Sequence, residues 1–327
     1  MLLRHLLVLS LMLCTAAQAA TPQALDDDEG VFWLPGSHVA GAQPDGNSVL
    51  LRGAQGWVLV DSGRHAAHTQ ALLDFFMRGR EKGGKELALI NSHWHLDHLG
   101  GNALIRQQWP GLRVYASAAV EGALQGWLSD YRKQLEGLIE KPQDLDEDSL
   151  RSVRIDLALL QQAEALRPDQ ILDGAQQDLT LAGRKLRLGV IKGAVSGGDV
   201  WVLDLASQTL VAGDLVTMPV PFLDTACASG WATALQTLAD QPFTRLVPGH
   251  GPVLSRQEFQ HYRESYGRLL QCAASAQEPT ACADQWLRDA AAWIAPAEQP
   301  RARAMLGYYF SQHLRAPTRE RFCNASP

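Results

Sequence analysis

The chain has 327 residues, 46% of them hydrophobic, and a formal net charge of −6. This length and composition fit one large globular domain with a sizeable core. The negative balance argues against a nucleic-acid partner, which usually selects a basic face, and favours a small-molecule ligand.

The first residues predict a secretory signal. Arg4-His5 precedes the apolar run 6–13, and Ala17-Gln18-Ala19 forms a small-x-small cleavage site. The apolar run is too short for a typical transmembrane helix, and no later run of about 18 apolar residues occurs, so no membrane span is expected. We expect residues 1–19 to be removed and the mature protein to be periplasmic. A lipoprotein anchor at Cys14 is the alternative, which the large residue before it disfavours.

The next part of the chain alternates predicted strands with a helix. Ser48 to Val60 predicts a hairpin that turns at residues 53–56, and His68 to Arg78 predicts a helix. Residues 87–92 are first apolar and then polar, which is typical of a buried strand that delivers functional groups at its C-terminal end.

Four potential metal ligands follow that strand within six residues: His93, His95, Asp97 and His98. Zinc binds imidazole nitrogen and carboxylate oxygen. Residues two apart on an extended segment point the same way, so His93 and His95 can bind one ion, while Asp97 and His98 turn toward a second. A loop of solvated histidines is the alternative, but the chain has only ten histidines. The pattern predicts a metal site for zinc, in which iron or manganese could substitute.

Residues 118–166 then predict a helical region with an apolar stripe. Most of this stripe is typical of packing, yet the region can also overhang the metal site as a lid. Trp127 and Tyr131, together with Trp94 of the motif, are the candidate substrate-pocket residues.

The second half of the chain repeats the strand pattern. Leu179 to Ile191 and Val200 to Val211 predict strand pairs. A helix after Gly230, a strand at residues 245–247 and an amphipathic helix at 257–271 follow.

The motif and three later segments resemble the metallo-β-lactamase superfamily. His93, His95, Asp97 and His98 stand as its H-x-H-x-D-H signature, and segments 60–63, 212–215 and 248–251 match in the family's order. The resemblance covers roughly residues 30 to 270. It implies an α/β fold, a four-layer αββα sandwich with metals at one edge.

The resemblance also implies roles for three distant residues. Asp214 would bridge two metals, His250 would complete the site of Asp97 and His98, and Asp61 would orient the ligands. From the residues alone, an Asp beside Gly is common as a turn former, and a Gly-His-Gly segment is often only a turn.

One ligand of the family pattern is replaced. Family members usually carry a histidine in a glycine-rich loop before the bridging Asp, and Val195 occupies that position in this chain. Valine cannot bind zinc, so we expect one tightly bound zinc at the second site and a weak or absent metal at the site of His93 and His95. Val195 is compatible with a natural mononuclear enzyme, a binding protein that has lost hydrolysis, or an introduced substitution.

Signal cleavage would leave four cysteines in an oxidising compartment, where disulfides are plausible. Four cysteines allow three pairings. The short segment between Cys272 and Cys282 favours that pair, which leaves Cys227 for Cys323. Free buried thiols are the alternative.

The expected domain organisation is a signal peptide at 1–19, a metallo-β-lactamase-fold domain at 20–278 and a helical extension at 279–327. The extension would be an accessory cap. A dimer surface is the alternative for its tryptophans and tyrosines, because these residues are enriched at interfaces. The sequence does not fix the oligomeric state.

Three functions follow as expectations. The first is a periplasmic hydrolase of a small-molecule ester, thioester or amide, in which Asp97 or Asp214 accepts a proton from a metal-activated water. The second is a metal-binding or ligand-binding protein with little turnover, because Val195 replaces a ligand. The third is a β-lactamase, which ranks behind the other hydrolase activities because many zinc β-lactamases carry Cys where this chain has Asp214.

Overall fold

A computed structural model describes residues 21–25, 30–37, 43–316 and 322–323. The predicted signal segment 1–19, with Cys14, lies outside these residues. Within them, two sheets and a set of helices account for the regular structure.

The first sheet has seven strands that follow one another in chain order. They are β1 (Gln23–Ala24), β2 (Val31–Leu34), β3 (Ser48–Arg52), β4 (Gly56–Val60), β5 (Glu86–Ile90), β6 (Arg113–Ser117) and β7 (Gln170–Leu172). Pairing is antiparallel from β1 to β4 and parallel from β4 to β7. The predicted hairpin is therefore β3–β4, and β5 is the predicted strand before the motif.

The second sheet has six strands in the order β13-β12-β11-β10-β9-β8. They are β8 (Gln177–Leu181), β9 (Arg184–Ile191), β10 (Asp199–Asp204), β11 (Thr209–Gly213), β12 (Arg245–Pro248) and β13 (Leu254–Ser255). Only β11 and β12 pair in parallel. Both predicted strand pairs of this half are present.

Eleven α-helices occur in the described part of the chain. They are α1 (Ala66–Gly83), α2 (Leu96–Leu99), α3 (Asn102–Gln108), α4 (Ala119–Gln125), α5 (Trp127–Ile139), α6 (Glu147–Leu160), α7 (Ala163–Leu166), α8 (Ala228–Ala239), α9 (Arg256–Ala274), α10 (Pro279–Asp289) and α11 (Gln299–Tyr309). Short turns of 3₁₀ and π type lie at Pro142–Asp144 and Phe310–Leu314. The predicted helical region 118–166 is thus divided into four helices.

Alternation along the strands explains how the sheets stack. On β4, Val58 and Val60 belong to the apolar layer shared with the second sheet, whereas Trp57 and Leu59 belong to the layer under α1 and α3. Successive side chains of a strand point to opposite faces, so a strand that is apolar at every position is covered on both sides. The two sheets therefore face each other, with helices outside. This confirms the predicted αββα fold, in which the first sheet has both parallel and antiparallel pairs.

The C-terminal helices pack on the outer face of the second sheet. Trp286 of α10 and Leu306 of α11 are buried in the same apolar cluster as Trp201 of β10 and Trp231 of α8. Two disulfides tie this region down, Cys227–Cys323 and Cys272–Cys282, which is the pairing that the cysteine spacing favours. None of the helices that the structure describes is long and apolar enough to span a bilayer.

Candidate metal centre

The H-x-H-x-D-H segment connects the end of β5 to α2. His95 is the N-cap of α2 and has an extended backbone, whereas Asp97 and His98 lie in the first turn of this helix. The change from extended to helical backbone at His95 separates the ligands in space. His93 and His95 face one side of Asp214, and Asp97 and His98 face His250.

The first group of ligand atoms surrounds one oxygen of Asp214. Nε2 of His93 lies 3.5 Å and Nδ1 of His95 lies 3.8 Å from Oδ2 of Asp214. This group contains two imidazoles and one carboxylate.

The second group surrounds the other oxygen of Asp214. Nε2 of His98 lies 3.2 Å and Nε2 of His250 lies 3.5 Å from Oδ1 of Asp214. Asp97 completes the group, because its Oδ2 is 3.0 Å from Nε2 of His250 and 3.8 Å from Nε2 of His98. Asp214 therefore presents one oxygen to each group, which is the arrangement expected of a bridging carboxylate.

Two glycines allow the loops to approach this closely. A Cβ at Gly249 would overlap Oδ1 of Asp214, and a Cβ at Gly46 would overlap the ring of His98. Packing therefore requires a glycine before His250, since any side chain there would displace the carboxylate of Asp214.

Three histidines are held by partners that define their ligand nitrogens. Ser92 Oγ donates to Asp61 and lies 2.9 Å from Nδ1 of His93, so it accepts from that nitrogen. Asp61 accepts from Nδ1 of His98 at 2.8 Å, and Ser92 N also donates to Asp61 at 2.7 Å. Because Nδ1 of both rings is a donor, the inner nitrogen Nε2 is the one available to a metal.

His95 is oriented in the same way through its other nitrogen. Thr225 Oγ1 donates to the carbonyl of Val195 at 3.0 Å and lies 2.9 Å from Nε2 of His95. The hydroxyl therefore accepts from Nε2 and leaves Nδ1, which faces Asp214, without a proton. Sequence reasoning did not identify Thr225, because 130 residues separate it from His95 and no motif marks it.

The charges of the cluster favour a cation at its centre. Burial alone lowers the pKa of His98, but the carboxylates of Asp214 and Asp61 outweigh burial and raise it well above its ordinary value. Burial alone raises the pKa of Asp214, yet His98 and His250 hold it well below its usual range. The pKa of His95 is lowered by burial and by His93, so this ring is neutral, the form that binds metals.

The residues present fit a divalent metal ion. Nε2 of His93 and Oδ1 of Asp214 are buried and have no hydrogen-bond partner in the described structure. Buried polar atoms without a partner are costly unless an ion or water satisfies them. Imidazole and carboxylate donors together match zinc, and also iron or manganese.

Val195 is connected to this cluster through Thr225, and its side chain belongs to the apolar cluster that contains Trp201 and Trp231. It is fully buried between Ala194 and Ser196, in the loop that connects β9 and β10, and its carbonyl is the acceptor of Thr225. Within the first group, the described ligands are therefore His93, His95 and Asp214.

A cavity of about 560 Å³ opens above the cluster. His95, Asp97, Asp214 and His250 line its floor. The three predicted pocket residues form one wall as a chain of rings, with centroids 5.1 Å apart for Trp94 and Trp127 and 5.2 Å apart for Trp127 and Tyr131. Residues of the C-terminal helical region, among them Trp293 and Met305, line the cavity as well.

The sequence and the fold place the chain in a known group. The profile of the metallo-beta-lactamase superfamily matches residues 42–250. The chain belongs to this superfamily.

Individual relatives are distant or match only in part. The chain is 43% identical to a hydroxyacylglutathione hydrolase of Crocosphaera subtropica over 44 residues, 14% of this chain and 17% of the relative. The chain thus matches about a sixth of the length of this curated relative.

Two solved structures show the same fold. The metallo-beta-lactamase FIM-1 from Pseudomonas aeruginosa, in a mono-zinc form, is similar with a TM-score of 0.55 and 16% identity, covering 76% of this chain and 96% of that one. A double mutant of the sec-alkyl sulfatase PisA1 is similar with a TM-score of 0.59 and 16% identity, covering 91% of this chain and 51% of that one.

Proposed function

We propose that this chain is an exported, metal-dependent hydrolase that cleaves a small-molecule ester, thioester or amide. One observation carries the proposal: Asp214 presents an oxygen to each of two histidine groups on the floor of an open cavity. Membership of the superfamily and the partial match to a hydroxyacylglutathione hydrolase support hydrolysis. The predicted signal segment is the basis for a periplasmic location.

We propose zinc as the metal, held tightly by Asp97, His98, His250 and Asp214, with a weak or absent second ion at His93, His95 and Asp214. The first group offers three ligands, and the proposed absence of a fourth rests on the family resemblance, in which Val195 occupies the position of a histidine. The chemistry that a divalent ion supplies in such a site is acidification of a water molecule and polarisation of a carbonyl group.

The chain's own residues then have distinct tasks. Asp97 and Asp214 are the carboxylates on the cavity floor, so one of them accepts the proton of the attacking water. Water oxygen bonds to the carbonyl carbon, the bond to the leaving oxygen, sulfur or nitrogen breaks, and the leaving group takes up the proton. Asp61, Ser92 and Thr225 keep the imidazoles oriented throughout.

The test combines metal content with turnover. Metal per chain is measured by plasma mass spectrometry, and the same sample is assayed with a chromogenic ester, thioester and cephalosporin. We expect about one zinc per chain and hydrolysis that a chelator abolishes. Asp97→Ala should lose both metal and turnover, whereas Asp178→Ala, which removes an exposed surface ion pair with Arg187, should lose neither. A fully active Asp97→Ala protein would overturn the proposal.

The location is tested separately. Expression with the complete N-terminal segment should yield a periplasmic protein whose first residue lies near position 20. An uncleaved N-terminus in the cytoplasm would contradict export without affecting the hydrolase proposal.

A second function is a metal-binding or ligand-binding protein without turnover. The observation that favours it is that the first group contains only His93, His95 and Asp214 as ligands, while Val195, the residue at the position of the family's further histidine, is buried and apolar. It predicts bound zinc and no hydrolysis of any of the three reporters. β-Lactam hydrolysis remains a third activity, supported by the fold likeness to FIM-1 and tested by the cephalosporin.

A further inference from the structure

The cavity above the metal centre has aromatic groups on two sides of His95. The ring of Trp94 lies 4.7 Å from that of His95, and the ring of Phe222 lies 5.2 Å from it on an edge-to-face contact. Trp127 and Tyr131 extend the Trp94 side outward. An apolar group bound next to His95 would therefore contact aromatic rings directly.

Trp127, the middle ring of this wall, is exposed although it contacts the rings on either side. Trp127 is 42% exposed, although Leu128 beside it in α5 is buried. Large exposed apolar side chains that line a cavity mark a binding surface. Trp293 and Met305 add apolar surface from the C-terminal region.

The charges of the cavity oppose an anionic ligand. Its described lining contains six carboxylates and two arginines: Asp45, Asp97, Asp156, Asp214, Asp224, Glu298, Arg64 and Arg301. A bound metal would offset Asp97 and Asp214, and Arg64 offsets Asp156, so Asp45, Asp224 and Glu298 carry the remaining negative charge. Arg64 is ion-paired with Asp156 and lies 3.7 Å from Asp97, and Arg301 also has a partner within the chain. Neither cation of the described lining is left to pair with a negative group of a substrate.

We infer that the substrate is uncharged near the scissile bond and carries an aromatic or similarly bulky apolar acyl group. The inference rests on the proposed hydrolase function and names the substrate class of that site. The rings of Trp94, Trp127 and Tyr131 hold the acyl group while its carbonyl lies over the ligand cluster. An acyl group carried by an anionic thiol such as glutathione fits this lining poorly, because carboxylates would face carboxylates.

The experiment uses matched thioesters on the metal-loaded full chain. Phenylacetyl and acetyl thioesters of N-acetylcysteamine, a neutral thiol, are compared with the phenylacetyl thioester of glutathione. We expect kcat/KM to be at least about tenfold higher for phenylacetyl than for acetyl on the neutral thiol, and several-fold lower on glutathione. Trp127→Ala should lower the phenylacetyl-to-acetyl ratio several-fold, whereas Trp109→Ala, a tryptophan that does not line this cavity, should preserve the ratio.

The outcomes separate the inference from the proposed function. Turnover with a phenylacetyl-to-acetyl ratio near one, or a preference for glutathione, overturns the inference and keeps the hydrolase. Absence of all turnover overturns the hydrolase, and calorimetry with the neutral amides phenylacetamide and acetamide then decides the inference by binding. Phenylacetamide binding at least tenfold tighter, weakened by Trp127→Ala, supports the aromatic pocket; equal binding of the two amides overturns it.

Discussion

The carboxylate of Asp199 accepts a hydrogen bond from the backbone N–H of Val195 at 3.0 Å. The same carboxylate accepts from Ser196 through both its N–H and its hydroxyl, at 3.0 and 2.7 Å. On the other side, the carbonyl of Val195 is held by Thr225. The backbone of the loop at residue 195 is therefore held by these hydrogen bonds, in addition to the packing of the buried valine side chain.

These backbone contacts make Val195→His a test of the proposed ligand replacement. We expect the variant to keep the loop geometry and to raise the metal content from about one toward two ions per chain, with higher turnover of the thioester. The larger side chain in a buried position would reduce stability by about 1–3 kcal/mol. Metal content and chemical denaturation are measured on the same sample.

Val195→Ala is the matched control, because alanine changes the side-chain volume without adding a ligand. Its metal content should equal that of the parent chain. If Val195→His also left the metal content unchanged, residue 195 would not face the first ligand group, and the alignment of this loop with the family would be wrong.

The buried carboxylate that holds this loop gives a pH-dependent prediction. Burial raises the pKa of Asp199 from 3.8 to about 6, and the hydrogen bonds from Ser196 only partly oppose this. A folded-state pKa above the unfolded value means that the folded protein binds this proton more tightly, so this residue favours folding most below pH 4. This contribution to the free energy of unfolding is about 3 kcal/mol in total, and it is lost as the pH rises through 6.

Asp199→Asn removes this titration. The difference in unfolding free energy between the parent chain and the variant should therefore change by up to about 3 kcal/mol between pH 4 and pH 7, with the parent losing stability relative to the variant. Urea denaturation across this range measures it. A difference that stays constant with pH would show that Asp199 is ionised at pH 4 in the folded protein.

The fold and the first ligands were predictable because their signals are local. The strand β5 and the four ligands that follow it lie within 13 residues, so periodicity and residue type suffice. Asp214 and His250 required a family resemblance, since an Asp or His beside glycine has no local mark of a metal ligand. The predicted pocket residues Trp94 and Trp127 lie in a loop and at the start of α5, respectively. Hydrophobicity alone does not distinguish either residue from a core residue.

The hydrogen bonds that support the ligands were not predictable, because they join residues that are far apart in the sequence. Asn47 is an example: its side-chain amide donates to the carbonyls of Pro248 and Gly251, at 2.9 Å each, and so fixes the loop of His250. About 200 residues separate these partners. Arg64 pairs with Asp156 and approaches Asp97, and no sequence motif marks this arginine as part of the site.

Asp61 is predicted to act on the metal without binding it. Its carboxylate holds Nδ1 of His98 and, through Ser92, Nδ1 of His93. Asp61→Ala should weaken zinc affinity by about 10- to 100-fold, because the imidazoles lose their orientation and basicity. Competition with a chromogenic chelator measures the affinity. Asp61→Asn, which keeps an acceptor for His98, should lose less; equal zinc affinity in the alanine variant and the parent would exclude an orienting role.

The two disulfides should contribute unequally to stability. The Cys227–Cys323 bridge closes a sequence separation of 96 residues, whereas Cys272–Cys282 closes one of 10. If loop entropy of the unfolded chain dominates, their removal costs about 5 and about 3 kcal/mol respectively. We compare Cys227→Ser/Cys323→Ser with Cys272→Ser/Cys282→Ser by urea denaturation.

The longer bridge has a second expected effect. Cys227 is the N-cap of α8 and donates its N–H to Ala194 O at 2.7 Å, next to Val195 and two residues after Thr225. Loss of this bridge should therefore weaken zinc binding at the first group, which contains His95, as well as stability, because the partner of His95 is less well fixed; the zinc held by Asp97, His98 and His250 should stay. Loss of Cys272–Cys282, which joins the end of α9 to α10, should reduce stability only. Equal zinc affinity in both double variants would show that the Thr225 segment is held by its hydrogen bonds alone.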